Sequence, residues 1–394
     1  MKTIVFFVPY VGLGGTETLV MRLMYWYSFH FYRVILLIGN TFIDLALQKE
    51  RANIKAECYV YDTKYNFFHA TNGNTLTFTP SEFVSVVSFS IIDFLRCYKL
   101  LSNKKYDCFF LHRIYIIHPN WSLLSKYTQW IKPLILLLLK EKTLVFMDEE
   151  TRAKCINSYK LNELNLHLEI LRLPIIINET IVSKPKDHLI NILSISRFEF
   201  PFKGYLLGLI DTFGKLALEH ITLTIIGGAG KENELINQKI ILLPKEIQSR
   251  INILGRIPYS EIDSAIDQCD LFIGMGTTIL DAANRNKICI VSVAYQEDDF
   301  TTGFFDTNYK NVGSIYNEKE KYFHFQELIQ EVISLDNKAF TEKEDLTKSL
   351  LIEHYDINKI APKLIESHQF SVLDKCKIFI YSNIVAFFDL YRKN

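Results

Sequence analysis

The chain has 394 residues, 49% of them hydrophobic, and its 44 lysine and arginine side chains are balanced by 44 aspartates and glutamates. One hydrophobic core rarely organises so many residues, so two domains are expected. The zero net charge excludes a global field that would attract nucleic acid, so an anionic ligand must be held by local donors.

Cysteine usage and hydropathy indicate the compartment. The seven cysteines stand singly, at none of the spacings of a disulfide framework or a zinc site, which favours buried thiols in a reducing cytosol. Residues 4–8 follow Lys2 like the apolar part of a signal peptide, but the run is short and Pro9 ends it, so a buried first strand is favoured. No run approaches the ~18 apolar residues of a membrane-spanning helix. We therefore expect a cytoplasmic protein.

The first half of the chain alternates short apolar runs with stretches of helical period. Strands are predicted at residues 3–8, 33–38, 54–61, 107–112, 143–147 and 170–177, with helices around residues 19–27 and 83–101. A polar stretch at residues 178–188 then indicates a linker. The second half repeats the pattern, with strands at residues 190–194, 221–226, 251–254, 271–273 and 288–293 and a helix near 206–217.

This order predicts an α/β protein with two Rossmann-like, doubly wound domains facing a cleft. We expect the domains at residues 1–180 and 181–367, and a C-terminal helix at residues 368–394 that packs back on the body. Ligands of such sheets bind at the loops that follow the carboxyl ends of the strands.

The first predicted strand leads into Gly12-Leu13-Gly14-Gly15-Thr16-Glu17, with a helix directly after it. Glycines let the backbone approach a ligand, and the amides of a helix N-terminus suit a phosphate. The alternative is an ordinary tight turn from strand to helix. Glu17 occupies the place of the third glycine of the dinucleotide fingerprint, which disfavours a nicotinamide enzyme.

Two loops of the second half carry the remaining candidate residues. Arg197 and Lys203 lie six residues apart after a strand, as a diphosphate leaving group would require, although Arg197 could instead pair with Glu199 in a solvated loop. Gly276, Thr277 and Thr278 open a predicted helix that Thr277 or Thr278 could cap, and Asp281 lies one turn further on, where it could accept hydrogen bonds from ribose hydroxyls. The alternative for this second loop is an ordinary capped helix.

Together these loops resemble, over residues 12–293, the GT-B glycosyltransferases of the large retaining group called family 4. The matching motifs are Gly14-Gly15-Thr16-Glu17, Ser196-Arg197 with Lys203-Gly204, the strand and glycine turn at residues 269–276, Asp281-Ala282, and residues 252–257 before a helix. The resemblance implies transfer of a sugar from a nucleoside-diphosphate sugar, UDP- or GDP-linked, without a metal ion or other cofactor.

The resemblance also implies roles for individual residues. Arg197 and Lys203 would hold the donor diphosphate, the amides of Gly276, Thr277 and Thr278 would add contacts, and Asp281 would bind the ribose. Gly14, Gly15 and Thr16 would close over the phosphate and sugar, and Ile257 would lie near the base. His112, at the end of a predicted strand, would lie near the anomeric carbon, with His118 as its rival and a structural role as the alternative.

One departure from the family bears on activity. The family has a pair of glutamates in this region. This chain has Ile273 at the position of the first glutamate and the shorter Asp281 at the position of the second. We expect a glycan or lipid-linked acceptor and a role in bacterial surface polysaccharide assembly. The alternatives are a non-catalytic glycosyltransferase-like subunit and an epimerase of the same fold.

Residues 126–142 combine lysines with aromatic and apolar side chains. This composition suits peripheral contact with the inner face of the cell membrane. A core helix with lysines at its ends, interrupted by Pro133, explains the segment equally well.

Overall fold

The structure of the protein is a computed structural model that describes residues 2–9, 11–12, 14–39, 44, 47, 51–62, 67–70, 75–102, 106–117, 128–161, 168–178, 189–228, 233–366 and 369–391. The strands are β1 (Thr3–Val8), β2 (Arg33–Ile38), β3 (Ala56–Asp62), β4 (Phe67–Ala70), β5 (Glu82–Ser88), β6 (Cys108–Ile116), β7 (Leu144–Phe146), β8 (Ile190–Ile195), β9 (Ile221–Ile226), β10 (Ile251–Leu254), β11 (Leu271–Gly274), β12 (Ile288–Ala294), β13 (Phe300–Phe304), β14 (Ser314–Ile315) and β15 (Phe323–His324). The helices are α1 (Gly15–Phe29), α2 (Ile91–Ser102), α3 (Thr128–Lys140), α4 (Glu149–Tyr159), α5 (Tyr205–Leu216), α6 (Glu234–Ile241), α7 (Lys245–Gln248), α8 (Tyr259–Asp267), α9 (Thr277–Asn284), α10 (Phe305–Asn308), α11 (Phe325–Ser334), α12 (Asn337–Tyr355), α13 (Ile357–Leu364) and α14 (Val372–Tyr391).

These elements form two compact units, one of Met1–Pro174 with Ile357–Asn394 and one of Ile175–Asp356. The predicted bounds at residues 180 and 367 therefore need correction, because the second unit begins and ends earlier. The chain enters this unit at Ile175 and leaves it at Asp356, and these two residues form a parallel bridge. Backbone pairing, which polar composition does not reveal, sets the boundary.

The first unit is built on a seven-stranded sheet in the order β4-β3-β2-β1-β5-β6-β7. All its neighbouring strands run parallel except β4, which is antiparallel to β3. The central strand β1 is buried along its whole length, as a strand covered by helices on both faces must be. The sheet thus confirms the predicted doubly wound pattern in this half.

Two predicted elements of this half are wrong. Residues 83–101 form nearly all of β5 and then most of α2, not one helix, because the valines at 84, 86 and 87 are buried between β1 and β6. β-Branched side chains pack well in such a strand. Residues 170–177 contain only isolated bridges, at Ile170 and Ile175.

The second unit has the sheet order β10-β9-β8-β11-β12-β13-β15, with β14 beside β12. Strands β8 to β12 are parallel, and β13 returns antiparallel to β12. Only residues 295–299 join β12 to β13, and a connection this short permits an antiparallel return but no crossover. This half is therefore also doubly wound, with an antiparallel extension on one side.

The C-terminal helix confirms the prediction that it packs back on the body, since α14 lies against α2 in the first unit. Its Ile378 is fully buried in a cluster that includes Phe94 and Phe370. Helix α3 places Leu134, Ile135 and Leu138 in the same cluster, which favours the core alternative for the described part of residues 126–142. None of the helices in the described ranges is long and apolar enough to cross a membrane.

Candidate functional site

Four parallel strands of the second unit end at one edge of their sheet, in the order β10-β9-β8-β11. The loops that follow them, residues 255–257, 227–228, 196–204 and 275–278, are here called the strand-end site. The chain continues from β8 to β9 on one side, whereas β11 lies on the other side of β8. Ligands of open α/β sheets bind where the strand order reverses in this way.

Arg197 lies in the loop after β8, and its side chain is 46% exposed. Its guanidinium pairs with the Glu199 carboxylate at 3.2 Å, which is the contact expected for a solvated loop. A pair this exposed is worth at most about 1 kcal/mol. An incoming phosphate could therefore displace it at little cost.

Lys203 is half-buried on the same loop, with its ammonium 4.6 Å from the centroid of the Phe202 ring. Burial, and then the positive charge of Arg197, lower the pKa of Lys203 to about 7, and Glu199 opposes this shift. Among the described residues no carboxylate forms an ion pair with Lys203. Two neighbouring cations thus share one carboxylate, an arrangement that a bound anion would stabilise.

Two glycines that the sequence analysis missed shape this loop. Gly227 has a φ of +138°, and a Cβ there would lie 1.7 Å from the Ser196 carbonyl oxygen. Gly228 has a φ of +70°, and its Cβ would lie 2.2 Å from the ring of Phe198, which anchors the loop in the core. The sequence signal that could have revealed this turn is the pair of glycines directly after the predicted strand at residues 221–226.

The N-terminus of α9 supplies the second loop of the site. Gly276, with a φ of +72°, occupies the N-cap, so the prediction that Thr277 or Thr278 caps the helix is wrong. The Gly276 amide donates to the Val312 carbonyl oxygen at 2.6 Å, which takes it away from a phosphate. The amides of Thr277 and Thr278 belong to the first turn, whose N–H groups have no partner within a helix.

The two positions of the expected carboxylate pair differ in their surroundings. Asp281 is buried on α9, one turn after Thr277. Ile273 is fully buried in β11, within the hydrophobic core of the second unit. No carboxylate can therefore replace it without entering that core. The role of Asp281 toward a ribose stays a prediction.

Ile257 is half-buried between β10 and α8, at the same edge of the sheet. The Gly227 amide donates to the Leu254 carbonyl oxygen at 3.1 Å, which ties the loop after β9 to the end of β10. The topology brings Ile257 to the side of β9 away from Arg197. Its contact with a base stays a prediction.

In the first unit, Gly14 is the N-cap of α1, and Gly15 and Thr16 form its first turn. Gly14 has extended backbone that any residue adopts, and its carbonyl oxygen accepts from the Thr18 amide at 3.0 Å. The turn follows β1, next to the point where the strand order of the first sheet reverses between β1 and β5. The turn therefore lies where ligands of open α/β sheets bind, and its contact with the phosphate and sugar stays a prediction.

His112 lies in the middle of β6, so the prediction that it ends the strand is wrong: β6 continues to Ile116. Its side chain is 3% exposed among the rings of Phe94, Tyr98 and Phe370. Burial, and then the charge of Lys375, lower the pKa of His112 to about 3. These surroundings argue for a core role, and a catalytic role stays a prediction. Its rival His118 lies outside the described residues.

The described residues contain no group of three or more His, Cys, Asp or Glu side chains that could hold a metal ion. No protein-family model and no curated protein sequence matches the chain.

The fold, by contrast, is similar to solved glycosyltransferase structures. Anabaena HepE in complex with UDP-glucose has a TM-score of 0.60 at 12% identity, over 93% of this chain and 99% of that chain. A glycosyltransferase from Rickettsia africae has a TM-score of 0.61 at 16% identity, over 93% of this chain and 97% of that one. S. aureus TarM with bound UDP and α-GlcNAc-glycerol has a TM-score of 0.57 at 10% identity, over 93% and 100%. At these identities the likeness shows the fold alone, which is GT-B.

Proposed function

We propose that the protein is a glycosyltransferase that moves a sugar from a nucleoside-diphosphate sugar, UDP- or GDP-linked, to a hydroxyl of a glycan or lipid-linked acceptor. The observation that carries this proposal is the pair of cations, Arg197 and Lys203, at the strand-order reversal of the second sheet. The GT-B fold adds support, because the HepE structure is a complex with UDP-glucose and that of TarM contains UDP. A role in bacterial surface polysaccharide assembly is part of the proposal.

In the proposed reaction the bond from the anomeric carbon to the diphosphate oxygen breaks while a bond to the acceptor oxygen forms. Negative charge grows on the leaving diphosphate, and the cations of Arg197 and Lys203 stabilise it more strongly than they stabilise the bound donor. A diphosphate oxygen takes the acceptor proton on the same face of the sugar, so the configuration is retained. The Thr277 and Thr278 amides add donors, Asp281 binds the ribose, and Ile257 contacts the base.

The first test is binding. Thermal shifts of the purified protein with UDP, GDP, ADP and CMP, without added metal, should single out one nucleoside diphosphate. Arg197→Ala and Lys203→Met should each weaken its binding by about 1.5–3 kcal/mol, or roughly tenfold to a hundredfold, since each removes a charge-assisted hydrogen bond. Lys245→Met is the matched control, because Lys245 is exposed on α7, ahead of β10 and away from the strand-end site.

The second test is turnover. The protein should transfer the sugar of the matching donor to an acceptor hydroxyl, and the anomeric configuration of the product, read from its proton coupling constant, should equal that of the donor. Inversion would contradict the same-face mechanism while leaving the transferase assignment intact. Unchanged binding and turnover in both cation variants would defeat the site.

A second candidate function rests on Ile273. Because β11 places this side chain in the core, the strand-end site lacks a carboxylate that the resembling family uses toward the sugar. A non-catalytic subunit would bind the nucleoside diphosphate, show the same weaker binding in Arg197→Ala, and release no diphosphate from any sugar donor. An epimerase would instead form free sugar without an acceptor, so product analysis separates the three functions.

A further inference from the structure

The outward side of α14 carries a largely apolar stripe formed by the exposed Val372, Leu373, Cys376, Ile380 and Phe387 with the half-buried Asn383 among them, here called the α14 stripe. At 100° per residue these six positions lie on one side of the helix. Val372, Leu373, Ile380 and Phe387 are 79%, 65%, 60% and 58% exposed. We propose that the α14 stripe rests on an anionic lipid surface and holds the first unit there. This inference stands apart from the proposed transferase activity.

The other side of α14 is fixed in the core of the first unit. Asp374, Ile378 and Ser382 are buried, at positions that lie opposite the stripe. The Tyr98 hydroxyl donates to the Lys375 carbonyl oxygen at 3.3 Å. The core-facing side of α14 is therefore already packed, and the stripe is a separate, outward-facing side of the helix.

The charges beside the stripe favour an anionic surface. Lys375 and Lys377 flank it on opposite sides, and both are exposed. The six side chains of the stripe include no carboxylate, and the buried Asp374 forms an ion pair with Lys377 at 3.7 Å. An apolar stripe bordered by lysines is the pattern of a helix that lies in the interface plane of an anionic bilayer.

Aromatic side chains lie beyond Lys377, where α14 packs against α3. Trp130 is 42% exposed, and its ring lies 4.9 Å, centroid to centroid, from that of Tyr381. The Tyr381 hydroxyl donates to the Trp130 carbonyl oxygen at 3.1 Å. Trp and Tyr are enriched at the level of the lipid headgroups, because each ring has an apolar body and a polar edge.

The dimensions of the stripe disfavour a second copy of the chain as its partner. From Val372 to Phe387 it is about 22 Å long, and a helix is about 10 Å wide. Such an area falls well short of the ~800 Å² per partner that a stable protein interface buries. A lipid surface needs no matching protein surface, so a narrow stripe suffices.

The test is sedimentation of the full chain with vesicles of phosphatidylcholine containing about one third phosphatidylglycerol, against phosphatidylcholine alone. Leu373→Ser/Ile380→Ser/Phe387→Ser should lower partitioning to the anionic vesicles about tenfold or more, and Lys375→Glu/Lys377→Glu should remove the preference for anionic lipid. The control Ile241→Ser/Leu242→Ser changes exposed side chains at the end of α6 in the second unit and should leave partitioning unchanged.

A probe on Cys376 reports the contact directly. In a Cys58→Ser/Cys108→Ser background, an environment-sensitive fluorophore on Cys376 should shift to the blue with anionic vesicles, while the same label in Cys376→Ser/Leu242→Cys should not. Failure of the wild type to sediment, or equal sedimentation of the triple serine variant, would overturn the proposal. So would a stable dimer in light scattering that the triple variant converts to monomer, because the stripe would then be an interface between copies.

Discussion

At the scale of single residues, Lys203 makes the proposed phosphate site sensitive to pH. Its pKa is about 7 in the free protein, against an ordinary value of 10.5, and a bound diphosphate would raise it again. Binding then takes up a proton above pH 7. We expect the affinity for the donor to be constant below about pH 7 and to fall above it by up to tenfold per unit.

Calorimetric titration from about pH 6 to pH 8.5 measures this dependence, and the Kd should rise roughly thirtyfold over the range. A UDP-sugar is the right ligand, since a diphosphate esterified at both ends has no group that titrates near pH 7. Lys203→Arg is the control, because a guanidinium stays charged throughout and should flatten the profile. Equal slopes in wild type and Lys203→Arg would assign the titration to another group.

His112 gives a prediction that separates a core role from a catalytic one. Its Nδ1 has no hydrogen-bond partner among the described residues, and aromatic rings surround it. His112→Phe keeps an aromatic ring in contact with the neighbouring rings and removes the unpaired nitrogen, so we expect unchanged kcat and an equal or higher Tm. A large fall in kcat at unchanged Tm would restore the catalytic assignment. His118→Ala, measured beside it, tests the rival.

The pH dependence of stability provides a second readout for His112. The folded pKa of about 3 lies below the unfolded value of 6.5, so the unfolded chain binds the proton first. The contribution of neutral His112 to the free energy of unfolding is therefore complete above pH 6.5. It is lost as the pH falls toward 3, by at most about 1.4 kcal/mol per pH unit. Denaturant melts at about pH 7.5 and pH 5 should show a smaller loss in His112→Phe than in wild type.

Sequence reasoning found the cations and the helix start because charge and glycine patterns are local. It could not find that Val312 takes the Gly276 amide, since the two residues lie 36 positions apart and meet only in the folded unit. It also placed His112 at a strand end, because an apolar run ends there although the strand continues through Arg113 to Ile116. Arg113 is buried and paired with Glu169 at 2.6 Å, which no local pattern reveals.

At the scale of elements, the turn after β9 sets the shape of the cation loop. An alanine at Gly227 would require a strained φ and would press its Cβ against the Ser196 carbonyl oxygen. We expect Gly227→Ala to destabilise the second unit by roughly 2–4 kcal/mol and to weaken nucleotide binding, because the residue after Ser196 is Arg197. Thermal melts and nucleotide titrations measure the two effects.

Gly255→Ala is the matched control for that turn. Gly255 follows β10 at the same edge of the sheet, but a Cβ added there meets no described atom within 4 Å. Both melting and binding should stay close to wild type. A similar loss of stability and binding in Gly227→Ala and Gly255→Ala would mean that this edge of the sheet tolerates no added methyl group. The close approach of Gly227 to the Ser196 carbonyl oxygen would then not explain the effect.

The parallel strands could be predicted from the sequence because each is a short apolar run. The order of the strands in the sheets and the antiparallel strand β13 could not be predicted. Residues 300–304 contain two threonines and a glycine between two phenylalanines, a pattern without clear period. Their pairing depends on Thr301, which donates its hydroxyl to the Val291 carbonyl oxygen at 2.7 Å. Tertiary pairing decides such strands, and local propensity does not.

At the scale of the whole molecule, the chain path makes the second unit separable. It begins at Ile175 and ends at Asp356, and the bridge between these residues brings both ends together. A chain of residues 175–356 should therefore fold alone, since it has its own core and the size of an ordinary domain. We expect a cooperative melt and nucleotide binding that Arg197→Ala weakens roughly tenfold to a hundredfold, but no sugar transfer.

The first unit consists of two stretches of chain, so its N-terminal stretch is expected to depend on its C-terminal one. Residues 1–174 alone would leave uncovered the apolar surface on which Ile378 and Phe370 pack, so this fragment should aggregate. Pro174 and Ile357 are the chain neighbours of the bridged pair, so a linker of a few glycines and serines between them should span the gap and restore a soluble unit. If the fragment of residues 1–174 melts cooperatively without the C-terminal helices, α13 and α14 are accessories, and the first unit is held by its sheet alone.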